Sequence, residues 1–264
     1  MVIGLDKFRQ QFEGEEDKYV IIGGTACDVN LSDTKTAPRD TVDIDIILVV
    51  ENITADFGRK FWNFIKEGDY QNRSRKRGDG LEPVPELYRF LRPTVSGFPM
   101  QLELLSIQPD VLGVPTGFHL TPIPFGEAVP SLSAIIMDKE FYEFTLKHRI
   151  IKNGLSIADY HALICLKATA FVNLLEQKYR DPSSVQSHDI RKHRDDVFKR
   201  LASLEDHNQT DLTPGIKAKI SAFADIMETS CNDPSFLKSM RQTLMLEKDA
   251  IIEYIELLKE LFEL

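Results

Sequence analysis

Asp43 and Asp45 stand in the run TVDIDIILVV, where Ile44, Ile46, Ile47, Leu48, Val49 and Val50 spell a strand. Alternate side chains of a strand share a face, so the two carboxylates project together. Side by side they repel unless a proton or a cation lies between them. An all-oxygen donor set suits a hard divalent ion such as magnesium. An Asp-x-Asp pair at a strand start also suits a simple turn cap, so further groups must decide. Glu103 is one: it lies in PMQLELLSI among Met100, Leu102, Leu104 and Leu105, a second strand pattern. If the two strands are neighbours, Asp43, Asp45 and Glu103 form a cradle for two magnesium ions, an arrangement that stabilises attacking and leaving oxygens in phosphoryl displacement. If they are not, Glu103 is an exposed residue on a half-solvated strand.

Upstream, Tyr19, Val20, Ile21 and Ile22 form a short apolar run that stops at Gly23-Gly24-Thr25. The order reads strand, glycine pair, helix. Paired glycines let a backbone approach a ligand closely, the first amides of a helix attract phosphate, and Thr25 adds a hydroxyl. A glycine pair equally serves a turn, and the Gly-x-x-x-x-Gly-Lys of a P-loop is absent.

Taken together, GGTACDVNL, PRDTVDIDIIL and QLELLS resemble the nucleotidyltransferase superfamily, whose members carry a glycine pair, an Asp-x-Asp strand and a third acid. The chain is more closely similar to the AbiEii/AbiGii toxin family, in which an Arg-x-Thr often precedes the paired acids, as Arg39 and Thr41 do here. ALICLKATAFVNLL looks like that family's lysine-bearing helix, with Lys167, and IRKHRDDVFKRL like its closing motif, with Lys192 and Asp196 at the matching places. Asp195 adjoins Asp196; Asp196 ranks first because Val197, Phe198 and Leu201 then align as an apolar face.

The resemblance implies an α+β fold: a nucleotidyltransferase-like mixed β-sheet core with an α-helical C-terminal domain. It implies transfer of NMP from an NTP of unspecified base (ATP, GTP or CTP) to an acceptor hydroxyl. Magnesium would be held by Asp43, Asp45 and Glu103. Gly23, Gly24, Thr25, Arg39 and Lys192 would bind nucleotide, with Lys167 neutralising the triphosphate and Asp196 acting beside it. The family's acceptor is RNA such as the tRNA 3′ end, and its setting a toxin–antitoxin or phage-defence pair with an antitoxin partner. A small hydroxylated acceptor would keep the same chemistry; the alternatives of a different class are a nucleotide-binding regulator that retains the fold without turnover, or a partner-binding module using the apolar stripe of the terminal helix.

Composition agrees with a packed protein: 264 residues, 42% hydrophobic and 28% charged. A net charge of -9 argues against coating nucleic acid by charge alone. Local charge differs in RSRKRGDG, where Arg73, Arg75, Lys76 and Arg77 suit either a phosphate-gripping loop or a solvated one. Cys27, Cys165 and Cys231 lie far apart, which indicates neither a disulfide framework nor a zinc knuckle. With no leader pattern and no apolar run of spanning length, a cytoplasmic location without membrane contact is the default.

The elements that must position these residues change character along the chain. Before about residue 140, short apolar runs alternate with Gly/Pro turns: YVII, DIDIILVV, ELYRFL, MQLELL and SLSAIIM. Residues 1–140 therefore read as the catalytic domain. Residues 141–264 read as a helical domain that completes the nucleotide and acceptor cleft. Its helices start near a capping Asp159, continue with HDIRKHRDDVFKRLASL, and have Pro214 and Pro234 at later starts. Ile251, Ile255, Leu258 and Phe262 make an apolar stripe in the last helix, suited to packing on its own domain. His188-Asp189, with His161 upstream and Asp196 downstream, superficially resembles an HD-type metal phosphohydrolase. Such a site needs histidines converging from several helices, and the flanking pattern for its first ligand is missing.

Overall fold

The computed structural model describes residues 3–30, 43–75, 84–106, 112, 138–204 and 207–264, with backbone alone at 71–75 and 84–88. Arg39, Thr41, Lys76, Arg77 and the expected strand at SLSAIIM lie outside the described residues. The fold is α+β. Two compact units divide it: Met1–Val129 with Thr145–Asp159, and Pro130–Phe144 with Tyr160–Leu264.

The first unit is built on a seven-stranded mixed sheet: β1 (Tyr19–Ile22), β2 (Asp43–Leu48), β3 (Gln71–Arg75), β4 (Val84–Leu91), β5 (Gln101–Leu105), β6 (Arg149–Lys152) and β7 (Leu155–Ala158). Their order across the sheet is β3-β4-β5-β2-β1-β7-β6. Helices α1 (Leu5–Gln11), α2 (Gly23–Asn30) and α3 (Ala55–Gly68) accompany it. Thr54 caps α3, its side chain accepting from the Phe57 amide. One layer of the core is aromatic: Phe8 of α1 and Phe12 just after it meet Tyr19, Phe57 and Phe64 with ring centroids 5.4–6.3 Å apart, and Phe61 and Trp62 meet Phe90 at 5.8 and 5.9 Å.

The hairpin β6–β7 corrects the expectation that strands end near residue 140. Its two strands pair antiparallel from Arg149↔Ala158 to Lys152↔Leu155, and β7 runs parallel to β1 with Ile21 opposite Ile157. The turn is Asn153-Gly154, with φ of 53° and 71°. Both values lie in the left-handed region that a two-residue hairpin of matching twist requires, and Asn-Gly supplies them at least cost. Residues 145–159 thus belong with the sheet, beyond the expected boundary at 140/141. The cluster around Arg73 differs too, since the backbone of Gln71–Arg75 is strand rather than loop.

The second unit is helical: α5 (Tyr160–Arg180), α6 (Ser187–Leu201), α7 (Pro214–Ser230), α8 (Pro234–Leu244) and α9 (Lys248–Phe262), preceded by α4 (Lys139–Lys147), which carries the boundary between units. From His161 to Val172 every residue of α5 is buried, so it is the central helix. Phe171 of α5 and Phe198 of α6 both pack on Phe223 of α7, at 5.3 and 6.4 Å. The stripe on α9 is buried as expected, and Pro214 and Pro234 open their helices. Asp159 precedes α5, with its carboxylate 3.0 Å from His148 Nδ1.

Candidate active site

Register brings the acids together. β2 and β5 run parallel with Asp43 opposite Gln101 and Asp45 opposite Glu103. Residues opposite one another on adjacent strands, about 4.8 Å apart, share a face. Asp45 and Glu103 are therefore neighbours, and Asp43, two residues along, projects from the same side. The intervening residues explain why the strands lie this way. Ile44, Leu102 and Phe90 occupy one row on the opposite face, each at most 1% exposed. Burying them contributes roughly 1.5–3 kcal/mol apiece, which fixes the face that the acids must take. Asp43, Asp45 and Glu103 are all partly accessible.

Gly23 is the close neighbour of this face. Its φ is +71°, and a Cβ there would lie 2.2 Å from Asp45 Oδ2. Only glycine fits both the backbone angle and the space. Gly23 thus makes room for the Asp45 carboxylate. Gly24 is partly accessible in the first turn of α2. Thr25 differs from expectation: it is fully buried, and its hydroxyl donates to the Asp43 carbonyl at 2.5 Å. It ties α2 to the start of β2 and so positions Asp43.

Sequence reasoning missed Arg89. It lies opposite Glu103 on the antiparallel pair β4–β5, and its Nε is 2.6 Å from Glu103 Oε1. Gln101 Nε2 donates to the same oxygen at 2.7 Å. Oε2 is then the Glu103 oxygen left to serve as ligand or base. No spacing in the sequence marks Arg89, because 14 residues separate it from its partner and only strand register joins them.

The donor set suits a hard divalent ion. It is oxygen-only, comes from two adjacent strands, and is accessible enough for an ion to enter. Asp43, Asp45 and Glu103 would hold magnesium, which when bound would supply charge neutralisation and polarisation of a phosphoryl oxygen.

The remaining expected residues fall in the helical unit. Lys167 on α5 is 3% exposed, with Nζ 3.1 Å from Asp196 Oδ2 on α6. The structure brings together the lysine and acid that the resemblance singled out, as a buried ion pair. A buried ammonium requires such a partner, and Asp196 is one. Asp195 has its own partner: Arg194 donates to its Oδ1 through Nε at 2.8 Å and Nη2 at 2.6 Å. Lys192 is exposed on α6, as is His188, whereas His161 is buried with Nε2 2.7 Å from the Asn208 carbonyl.

Among the described residues no helix is long and apolar enough to cross a membrane. No protein-family profile matches the chain, and no curated protein does. Two solved structures are similar to it. An antigenic nucleotidyltransferase-like protein from Paracoccidioides brasiliensis is 14% identical, with 86% of this chain and 88% of that one covered at a TM-score of 0.44. The antibiotic-resistance factor ANT(2'')-Ia is 11% identical, with 86% and 92% covered at a TM-score of 0.34.

Proposed function

We propose that this chain is a nucleotidyltransferase, moving NMP from an NTP to an acceptor hydroxyl. The observation that carries the reading is the register of β2 and β5, which sets Glu103 beside Asp45 with Asp43 on the same side. The resemblance of the three motifs to nucleotidyltransferases supports it.

In this reading Asp43, Asp45 and Glu103 hold magnesium, whose chemistry is to offset the charge of the triphosphate and of the departing pyrophosphate. Gly23 keeps Asp45 in place by leaving space for it, and Thr25 fixes the backbone of Asp43. The acceptor oxygen attacks the α-phosphorus, its proton passing to the acidic face. The new O–P bond forms as the α–β bridging P–O bond breaks, and pyrophosphate carries that electron pair away. The buried pair Lys167–Asp196 joins α5 to α6, while exposed Lys192 remains available to anionic ligands.

The acceptor we propose is RNA, and the setting a toxin with a cognate antitoxin, on the likeness to the AbiEii/AbiGii family. Incubation of the purified chain with α-labelled NTPs, magnesium and total RNA is expected to label RNA. Label on small hydroxylated compounds alone would move the acceptor to that class. No transfer to RNA, protein or small molecules, or transfer that survives Asp45→Asn, would overturn the enzymatic reading.

A further inference from the structure

We propose that Arg89 is the built-in counter-ion of the acidic face, holding its affinity for divalent cations low until nucleotide arrives. The inference rests on the proposed function and deepens it. Arg89, Glu103 and Asp45 occupy one row across β4, β5 and β2, each opposite the next. The Arg89 guanidinium sits 2.6 Å from Glu103 Oε1, with the two side chains 31% and 15% exposed. At that exposure the charges are only partly screened. The Arg89 charge offsets that of Glu103, one of the three carboxylates on this face.

Arg89 cannot shed this charge, because a guanidinium stays protonated at any working pH. A divalent ion approaching Glu103 therefore meets a fixed positive charge within one side chain of its ligand. Gln101 strengthens the arrangement by donating to the same Oε1, so that Glu103 offers one oxygen rather than a bidentate pair. The ion pair is not needed to hold the strands together. The ladder already joins Phe90 to Leu102 and Leu91 to Gln101, and Phe90 and Leu102 are buried. Its effect is electrostatic: it offsets the acids in the absence of substrate. A triphosphate restores the negative balance and brings its own cation, so the face fills when both substrates of the metal site are present.

The test is Mn2+ binding to the full chain, read from the electron paramagnetic resonance of free Mn2+ without nucleotide. Arg89→Gln is expected to bind Mn2+ about tenfold more tightly than the parent, and Arg89→Lys, which keeps the charge, to stay close to the parent. Equal or weaker binding by R89Q, or equal tightening by R89K, overturns the counter-ion role. A measurement on the parent chain needs no variant. With a non-hydrolysable NTP analogue present, and with the Mn2+ taken up by the analogue in a protein-free control subtracted, Mn2+ should bind the protein at least about tenfold more tightly than without the analogue, and equal affinities overturn the proposal. Asp45→Asn separates the two levels of inference. If it abolishes Mn2+ binding while R89Q changes nothing, only the role of Arg89 falls. If binding survives D45N in both backgrounds, the acidic face is not the metal site and the proposed function falls with it.

Discussion

The acidic face of the sheet and the core of the helical unit both place charge beside charge, and they do so under opposite conditions. On the sheet, Asp43, Asp45 and Glu103 share one partly accessible side, with Arg89 paired to Glu103. Between α5 and α6, Lys167 meets Asp196, and within α6 Arg194 meets Asp195, all four nearly sealed from water. An excess of one sign that solvent can reach asks for a ligand. A lysine and an acid held together out of solvent contribute to the packing of the helices that carry them. Type and spacing of residues do not distinguish these cases, but burial and charge balance do.

The comparison is sharpest at single residues. Asp45→Asn should lower nucleotidyl transfer by about 10²–10³-fold or more in a labelled-nucleotide assay, while the thermal midpoint stays within a few degrees of the parent. Asp196→Asn should do the reverse in kind. Removing the Asp196 charge beside buried Lys167 should cost about 3–5 kcal/mol in chemical denaturation, and removing both charges in Lys167→Met/Asp196→Leu should recover much of it. If D196N instead abolished transfer with stability intact, the assignment of the pair to the fold would be broken.

Gly23→Ala lies between these extremes, because it strains the backbone and presses on the Asp45 carboxylate at once. A stability loss of about 1–3 kcal/mol is expected, together with a fall in kcat of up to about a hundredfold as Asp45 shifts. A third kind of charge gives the smallest effect. Burial alone would raise the Glu15 carboxyl, but hydrogen bonds from Lys18 and Lys60 outweigh it and hold the group below its ordinary value. A depressed carboxylate stabilises the fold above its unfolded value and loses that contribution as pH falls through the folded one. Glu15→Gln should therefore lower stability by about 1 kcal/mol or less near neutrality, with the gap closing between about pH 5 and about pH 3 in urea titrations.

Much of the first unit is legible in the sequence, because apolar runs name their own faces. YVII, DIDIIL and QLELL are the strands β1, β2 and β5, and the alternation in DIDIIL correctly puts both aspartates on one side. The hairpin β6–β7 is harder to read. Ile150 and Ile151 are 40% and 61% exposed on the outermost strand, so RIIK shows no clean alternation, although Asn153-Gly154 is itself a hairpin signal. The contacts of Arg89 and Thr25 depend on tertiary register and are invisible at the level of spacing. For Lys167 the sequence gives the burial of its helix but not the opposing carboxylate, which arrives from another helix 29 residues later.

Strand β7 has a consequence for how the protein reaches its working form. It lies beside β1, whose other neighbour β2 bears both aspartates, yet more than 130 residues of chain separate β1 from β7. A nascent chain therefore finishes the sheet only after Ala158 has been made, and β1 keeps a bare hydrogen-bonding edge until then. Cutting the gene at residue 140 to isolate the acids would leave that edge permanently open. The smallest piece worth expressing for the sheet must run through Asp159.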